Sequence, residues 1–248
     1  MNPDIEAYLS GGRIPWSRGY KPYRMDLLQK AVRDPELLAR FRDLQPLPAN
    51  YAWGLDERLV EYPWVLSRMA GGAGRFFDAG STFNYPYLLE LPQVKGKKTV
   101  ILTLAPEQQF RLPDVSYVYD DLRALPFRSE MFEEIVCLST IEHVGLDNTR
   151  IYTSDNTFRE ARTDQYGLVL EELRRVLKPG GQLLLTVPFG RAQNIGWMQQ
   201  FDRDGIARIV EYFGANCVEQ TFFRHAADGW QLTDDAACAE LEYFDVHQ

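Results

Sequence analysis

Short apolar runs alternate with stretches of helical character from residue 75 onward, and this alternation constrains the fold more than any other feature of the chain. Such alternation is typical of a parallel sheet flanked by helices. We therefore predict an α/β fold with a doubly wound, mostly parallel sheet and helices on both of its faces. The predicted strands are Arg75–Asp78, Thr99–Leu102, Val115–Val118, Glu134–Leu138 and Leu183–Val187.

A clear helix precedes the last of these strands. Residues Gln165–Leu177 place leucines and a valine at helical spacing, with charged residues between them. The helix is followed by Lys178-Pro179-Gly180-Gly181, a sequence that ends helices and turns the chain. We predict a turn at 178–181 that leads from the helix into the fifth strand.

The chain changes in composition near residue 70. The first part holds a disproportionate share of the prolines and tryptophans, and an Arg/Tyr-rich loop precedes its predicted helices. We predict a mainly helical N-terminal extension over residues 1–70 that wraps or caps a domain at 71–248. A long polar segment at about 145–164 is predicted to be an insertion in that domain. The predicted helices of the extension are Met25–Val32, Pro35–Asp43 and Asp56–Met69.

Composition excludes several classes of function. With 45% hydrophobic residues, the 248-residue chain can bury a sizeable core. Its 27 basic and 35 acidic side chains give a formal charge of −8, which repels polyanions, so we expect no nucleic-acid partner. Three cysteines at unrelated spacings fit neither a disulfide framework nor a zinc site. Because no apolar run approaches the ~20 residues of a membrane span and no signal peptide is evident, we expect a cytoplasmic protein without a membrane partner.

The loop after the first predicted strand is the first candidate site. In doubly wound sheets, ligands bind at the carboxyl ends of the strands. Here Asp78 offers a carboxylate to a ligand, and Gly80 permits close backbone approach. The alternative, of equal weight for this loop alone, is that Asp78 caps the following helix and Gly80 makes a turn.

Four further segments carry a resemblance to a known family. They are Asp120–Phe127, Phe132–Val136, Ser139–Val144 and Leu177–Gly181. In order and spacing they resemble class I S-adenosyl-L-methionine (SAM)-dependent methyltransferases, over residues 75 to about 190. The resemblance implies a Rossmann-like sheet of about seven strands, SAM as the cofactor, and methyl transfer to a small-molecule acceptor.

The resemblance also implies roles for individual residues. Asp78, Gly80 and Ser81 would border the methionine part of SAM, and Asp121 and Leu122 would flank its adenine. The alternative for Asp121 is a helix cap. The remaining residues assigned to the cofactor are Ser139, which follows the fourth strand, and Thr103, which itself or through a close neighbour stands where the family has an acid that binds the ribose hydroxyls. Glu107 could bind them instead only if its loop folds back.

Glu142 and His143 are the candidate catalytic residues. They follow the fourth strand, near where an acceptor would approach the cofactor, and a histidine there can take a proton from an acceptor hydroxyl. The alternative, which we favour, is that Glu142 caps or forms an ion pair and His143 supports the cofactor loop through a hydrogen bond.

The acceptor is expected to meet segments outside the common core. These are residues 16–23, the polar insertion 145–164 and residues 189–204. The polar insertion, together with a weaker resemblance to methyltransferase-like proteins of bacterial glycan biosynthesis, favours a sugar or sugar nucleotide. Because Thr82, Asn84 and Thr103 replace the expected glycines and acid, the competing hypothesis is an inactive relative that serves as a binding or scaffolding module. A nicotinamide-dependent enzyme is disfavoured, since the chain has no G-x-G-x-x-G after the first strand.

Overall fold

The computed structural model describes residues 2–110 and 112–243. Its helices, in chain order, are α1 (Pro3–Ser10), α2 (Tyr20–Ala31), α3 (Pro35–Arg42), α4 (Arg58–Leu66), α5 (Pro86–Leu89), α6 (Tyr166–Val176), α7 (Arg203–Phe213) and α8 (Asp235–Cys238). Its strands are β1 (Arg75–Ala79), β2 (Lys98–Thr103), β3 (Val115–Tyr119), β4 (Phe132–Leu138), β5 (Leu177–Thr186), β6 (Gln193–Asn194), β7 (Gln199–Gln200), β8 (Phe222–Ala226) and β9 (Gly229–Thr233). Three short 3₁₀ helices lie at Ile141–His143, Asn148–Arg150 and Asn156–Phe158.

Residues 70–219 and 239–243 form one unit, built on a fully parallel five-stranded sheet. The strand order is β3-β2-β1-β4-β5, so the winding direction reverses between β1 and β4. This is the order of doubly wound nucleotide-binding sheets, which bind their ligands where the order reverses. The predicted α/β fold with a parallel sheet is therefore confirmed.

The prediction of about seven strands is not confirmed. Within the described residues, the strands that follow β5 do not join the central sheet. Strands β6 and β7 pair only with each other over two residues each, and β8 and β9 form a separate antiparallel hairpin. Because antiparallel neighbours are joined by a tight turn, the short Ala226-to-Gly229 connection lets β8 and β9 satisfy each other's backbone groups locally.

The turn predicted at 178–181 lies inside β5. Phe132 pairs with Leu177 and Glu134 pairs with Gln182, so four residues of β5 stand opposite Glu133 alone. Gly180 adopts a φ of 77°, which glycine takes without the steric penalty of other residues. The predicted turn is thus a bulge within β5, and the pair of Leu177 with Phe132 lies on the side of the bulge nearer to α6.

The core of this unit lies between the sheet and α6. One face of α6 buries Val169, Leu170 and Leu173 completely, as its apolar spacing predicts. They pack in one cluster with side chains of β1 and β4, among them Phe77, whose ring stacks on Phe132 at 4.9 Å. This packing holds the carboxyl ends of the strands, and the loops that follow them, in fixed positions.

Residues 2–69 and 220–238 form the second unit. It contains α1–α4, the β8–β9 hairpin and α8. We predicted that all of 71–248 forms the methyltransferase-like domain, whereas by their contacts residues 220–238 group with residues 2–69. Those residues pack here through contacts distant in sequence: the Trp230 indole N–H donates to the Leu55 carbonyl at 2.9 Å, and the Phe223 ring lies 5.4 Å from that of Phe41.

The second unit also contains a buried ionic network. The Asp56 carboxylate accepts a hydrogen bond from the Tyr20 hydroxyl at 2.8 Å and pairs with the Arg24 guanidinium. Tyr20 begins α2, so the Arg/Tyr-rich stretch predicted as a loop is helical from that residue on. Gly19, at φ 90°, starts the helix, and substitution there would place a Cβ 1.8 Å from the Asp4 carbonyl oxygen.

No helix within residues 2–110 and 112–243 has the length and apolar character needed to cross a membrane. Across the same residues, no group of three or more His, Cys, Asp or Glu side chains is arranged to hold a metal ion.

Candidate functional site

A cleft of about 500 Å³, counted out to its open mouth, lies at the carboxyl ends of the strands of the first unit. Each of the first four strands contributes to its lining through the loop that follows it, and the insertion 145–164 supplies the rest. The lining residues are Gly80, Leu102, Thr103, Leu104, Asp120, Asp121, Leu122, Arg123, Thr140, His143, Val144, Gly145, Asn148, Tyr152 and Phe158.

Asp78 is not among the residues that line the cleft. Its fully buried carboxylate accepts hydrogen bonds from the backbone N–H groups of Thr82 at 3.1 Å and Phe83 at 2.7 Å, and from the Thr82 hydroxyl at 3.0 Å. Burial raises the pKa of Asp78 to about 7, against the opposing effect of these hydrogen bonds. Asp78 therefore closes the turn from 78 to 83 and does not cap a helix, since the next helix, α5, begins at Pro86 with Tyr85 as its N-cap.

Gly80 lines the cleft at the point where the first loop meets the loop after β4. Its φ is 118°, and an added Cβ would lie 2.2 Å from the Thr140 Oγ1. No side chain fits there without displacing Thr140, so glycine is required for both conformation and space. The next residue, Ser81, has a φ of 61° and contacts Glu107 rather than the cleft lining.

The loop after β2 folds back onto the first loop through Glu107. Its carboxylate accepts hydrogen bonds from the Ser81 hydroxyl and, at 2.9 Å, from the Asn84 side-chain amide. The Asn84 carbonyl oxygen in turn accepts from the Tyr117 hydroxyl at 2.9 Å. Partial burial raises the pKa of Glu107. Asn84, which stands in place of a family glycine, thus holds the two loops together through its side-chain amide.

Asp121 lines the cleft, but Arg123 holds its carboxylate. The Arg123 guanidinium donates to both oxygens of Asp121, the shortest contact being 2.7 Å. Burial acts to raise the pKa of Asp121, and the hydrogen bonds and charge of Arg123 outweigh it, so the pKa lies below its usual range. Arg123 also donates to Glu160 at 2.8 Å, which ties the loop after β3 to the insertion.

The residues on this side of the cleft fit the nucleoside half of SAM. Leu104 and Leu122 line the cleft here with apolar side chains that suit a planar base, and Asp121 presents a carboxylate edge. The backbone N–H of Leu122 donates no hydrogen bond to any described residue, so it remains available to a ring nitrogen. Thr103, placed at the end of β2 and 8% exposed, adds a hydroxyl.

His143 also lines the cleft, and its orientation is fixed by the segment 189–204. Its Nδ1 lies 2.9 Å from the Trp197 carbonyl oxygen, which accepts only if Nδ1 carries the proton. The imidazole stacks on the Trp197 indole with centroids 5.4 Å apart. Its Nε2 lies 3.9 Å from the carboxylate of Glu142, which is 2% exposed.

The insertion 145–164 turns its aromatic side chains, rather than its charges, toward the cleft. Tyr152 and Phe158 belong to the lining, and Tyr152 packs edge-on against His143 at 5.6 Å. Polar groups form contacts within the insertion. The Asp147 carboxylate accepts a hydrogen bond from the Thr149 backbone N–H at 3.1 Å and forms an ion pair with Arg159 at 3.5 Å. The residues that led us to expect a hydroxyl-rich ligand are thus partly used in folding the insertion.

Ser139 adopts a φ of 39° and its backbone N–H donates to Thr186, while its side chain is not part of the cleft lining. Residues 16–23 belong to the unit formed by 2–69 and 220–238, and their contact with an acceptor stays a prediction.

Sequence reasoning missed Arg123 and Trp197. Arg123 is detectable from its i+2 spacing to Asp121, whereas the sequence carries no signal that Trp197 meets His143.

Part of the chain matches a known family model. Residues 98–185 match the family model of a methyltransferase domain. This segment includes Thr103, the Asp120–Arg123 loop and His143. The match supports S-adenosyl-L-methionine as the cofactor of the domain. No curated protein matches the chain.

Several solved methyltransferases are similar to the chain at low identity. The 1,6-didemethyltoxoflavin-N1-methyltransferase of Burkholderia thailandensis, solved with 1,6-didemethyltoxoflavin and S-adenosylhomocysteine, is 15% identical, with 92% of this chain and 87% of that one covered and a TM-score of 0.49. A SAM-dependent methyltransferase of Methanosarcina mazei is 14% identical, with coverage of 68% and 92% and a TM-score of 0.45. Phosphoethanolamine N-methyltransferase 2 of Haemonchus contortus, in complex with SAM, is 15% identical, with coverage of 77% and 44% and a TM-score of 0.44.

Proposed function

We propose that the chain transfers the methyl group of SAM to an O–H or N–H group of a small acceptor. The observation that carries this proposal is the meeting, in one cleft, of Gly80, the Asp121–Leu122 edge and His143. These groups follow β1, β3 and β4 and are brought together by the parallel sheet. The methyltransferase-domain match over 98–185 supports the same reading.

The nucleoside half of the cofactor is assigned to the loops after β2 and β3. Leu104 and Leu122 pack against the adenine, and the Leu122 N–H and the Asp121 carboxylate bond to its edge. Because Arg123 already holds Asp121, that carboxylate is fixed before the ligand arrives, which lowers the entropy lost on binding. Gly80 permits backbone approach from the opposite side.

His143 is proposed as the general base. When bound, SAM supplies an electrophilic methyl group: the acceptor atom forms a bond to the methyl carbon as the carbon–sulfur bond breaks, and that bond's electron pair stays on sulfur. The acceptor proton passes to His143 Nε2, because Nδ1 carries the proton donated to Trp197. Glu142, 3.9 Å away, stabilises the imidazolium that results.

For the acceptor, we retain a sugar or sugar nucleotide as one proposal. It is supported by the polar composition of the insertion and by Asn148, a buried amide in the cleft lining. The aromatic rings of Tyr152 and Phe158 at the same cleft suit the apolar face of a sugar ring or a planar ring equally well.

The second candidate is a catalytically inactive methyltransferase-like module that serves in binding or scaffolding. It is favoured by the commitment of Asp78, Ser81 and Asn84 to contacts within the loops, in positions that the family keeps for the cofactor.

The experiment that tests both candidates is calorimetric titration of the full chain with SAM and with S-adenosylhomocysteine. Binding of either ligand with micromolar affinity is expected if the chain is a methyltransferase. No heat of binding up to millimolar ligand overturns the methyltransferase proposal and favours the module. If the ligands bind, transfer of labelled methyl groups to pooled small-molecule acceptors separates the enzyme from the module.

A further inference from the structure

The ends of β2 and β3 lie side by side at the cleft. Thr103 pairs with Tyr119 in the parallel register of the two strands, and the Asp120 backbone N–H donates to the Thr103 carbonyl at 3.1 Å. Asp120 therefore stands next to Thr103, the residue that occupies the position of the expected ribose-binding acid. Both residues line the cleft.

The other candidate carboxylates near this point are committed elsewhere. Asp78 accepts three hydrogen bonds from its own loop and does not line the cleft. Asp121, which the proposed function assigns to the adenine edge, is held by Arg123 through both oxygens. Glu107 accepts from Ser81 and Asn84 and is likewise not part of the lining.

Asp120 differs from all of these. Its Oδ1 accepts from the Asp121 backbone N–H at 2.8 Å, and this contact orients the side chain. Its Oδ2 accepts no hydrogen bond from any described residue. Asp120 is exposed, whereas Asp121 is only partly exposed. An oriented carboxylate with accepting capacity thus faces the cleft from the end of β3.

We propose that Asp120 binds the ribose hydroxyls of the cofactor, in place of the acid that the family carries at the end of the second strand. This inference rests on the proposed function. The two hydroxyls of a ribose are neighbouring donors, and a carboxylate has enough lone pairs to accept from both. The proposed acid thus lies at the end of β3 rather than β2, beside Thr103 in the cleft lining.

The test compares Asp120→Asn with Asp114→Asn. Asp114 is exposed and precedes β3, so the two variants remove one negative charge each from opposite ends of the same strand. The ligands are S-adenosylhomocysteine and its 2′-deoxy and 3′-deoxy analogues, titrated calorimetrically into the full chain. Thermal unfolding of each variant checks that it is folded.

We expect the wild type and Asp114→Asn to bind the deoxy analogues about 10-fold to 100-fold more weakly than S-adenosylhomocysteine, the range for a hydrogen bond to a charged group. Asp120→Asn is expected to bind S-adenosylhomocysteine more weakly by a similar factor and to lose most of its preference for the ribose hydroxyls.

Two results overturn the inference while leaving the proposed function intact. One is an Asp120→Asn variant that keeps the wild-type preference for the hydroxyls. The other is loss of that preference in Glu107→Gln and not in Asp120→Asn, which would assign the role to the loop after β2. Failure of the wild type to bind S-adenosylhomocysteine at all is a different result: it overturns the proposed function, and the inference with it.

Discussion

At the scale of single residues, the carboxylate of Asp78 is the most informative group. It follows the apolar part of β1, where a ligand-binding acid is expected, and three donors of the next turn meet it instead. Each oxygen accepts a backbone N–H, so the loop from 78 to 83 is held without any ligand. The sequence could not decide between these roles, because both need a carboxylate at the same position.

The raised pKa of Asp78 predicts a dependence of stability on pH. Because its pKa is about 7 in the folded chain and near 3.8 unfolded, the folded state binds more protons between these values. This carboxyl therefore stabilises the fold fully only below about pH 4, and its contribution falls as the pH rises toward 7.

The measurement is urea unfolding of the wild type and Asp78→Asn at pH 5 and at pH 8. From pH 5 to pH 8, the unfolding free energy of the wild type should fall relative to that of Asp78→Asn. At both values the variant should be the less stable, because an amide nitrogen cannot accept the N–H of Phe83 or Thr82. A pH-independent difference would show that the pKa of Asp78 is not raised.

His143 gives the prediction that tests the chemistry. His143→Gln removes the proton-accepting Nε2, so kcat should fall about 100-fold to 10,000-fold, the usual contribution of general-base catalysis. The Kd for S-adenosylhomocysteine should stay nearly constant, since the nucleoside contacts are elsewhere. Steady-state kinetics together with calorimetry measure the two effects separately.

Trp197→Phe is the matched control for that experiment. It keeps an aromatic ring beside the imidazole, and it keeps the backbone carbonyl that accepts from Nδ1. Its kcat should stay within a few-fold of wild type. Equal losses in both variants, or a lost affinity for S-adenosylhomocysteine in His143→Gln, would give His143 a supporting role instead.

At the scale of elements, sequence and structure agree where the pattern is local. Strands β1 to β4 are predicted within a few residues, because each is a buried apolar run bounded by turn residues. The bulge in β5 was not predicted. Lys-Pro-Gly-Gly at 178–181 turns the chain as expected, and only the pairing of Leu177 with Phe132, a contact across 45 residues, extends the strand past it.

The junction of the first loop with the loop after β4 can be tested at Gly80. Gly80→Ala should destabilise the chain by about 3 kcal/mol, because it combines an unfavourable φ with a clash against Thr140. Thr140→Ala removes the clashing Oγ1 and Cγ2, so the double variant should be more stable than additivity predicts, by about 1–2 kcal/mol. Chemical denaturation of all four proteins measures this coupling. Additive effects would mean that φ strain alone requires the glycine.

The link between Arg123 and Glu160 predicts the local stability of the insertion. Glu160→Gln leaves the pair of Arg123 with Asp121 intact and weakens only the contact that reaches the insertion. For a partly exposed pair, about 0.5–1 kcal/mol is expected. Amide exchange within 145–164 should therefore be about 2-fold to 5-fold faster, with β2 unchanged. Glu171→Gln, at an exposed position of α6, is the control, and equal exchange in both variants would contradict the prediction.

At the scale of the whole molecule, the division into units could not be predicted from the sequence. Apolar periodicity identifies elements, and it does not show that the β8–β9 hairpin packs with residues 2–69 rather than with the central sheet. The pairing depends on single contacts over long separations, such as that of Trp230 with Tyr51, whose carbonyl accepts the Trp230 backbone N–H at 2.8 Å. No local pattern marks such contacts.

Trp230→Phe tests that pairing. The variant keeps an aromatic six-membered ring and loses the indole N–H. The Leu55 carbonyl is then left without this donor, at a cost of about 1 kcal/mol. Amide exchange in α4, only a few residues from Leu55 in the chain, should become faster. Gln231→Ala, an exposed position on the same strand, serves as the control. If α4 exchanges equally in both variants, the hairpin does not stabilise it.

The discontinuity of the unit formed by 2–69 and 220–238 has a consequence for biosynthesis. After residue 69 leaves the ribosome, roughly 10–30 seconds pass before residue 238 follows, at about 5–20 residues per second. During that time Phe41 has no Phe223 to pack against, and the Leu55 carbonyl has no indole donor. The nascent chain therefore displays an aromatic-rich segment while the parallel sheet is still being made, and this interval is when we expect chaperones to bind it.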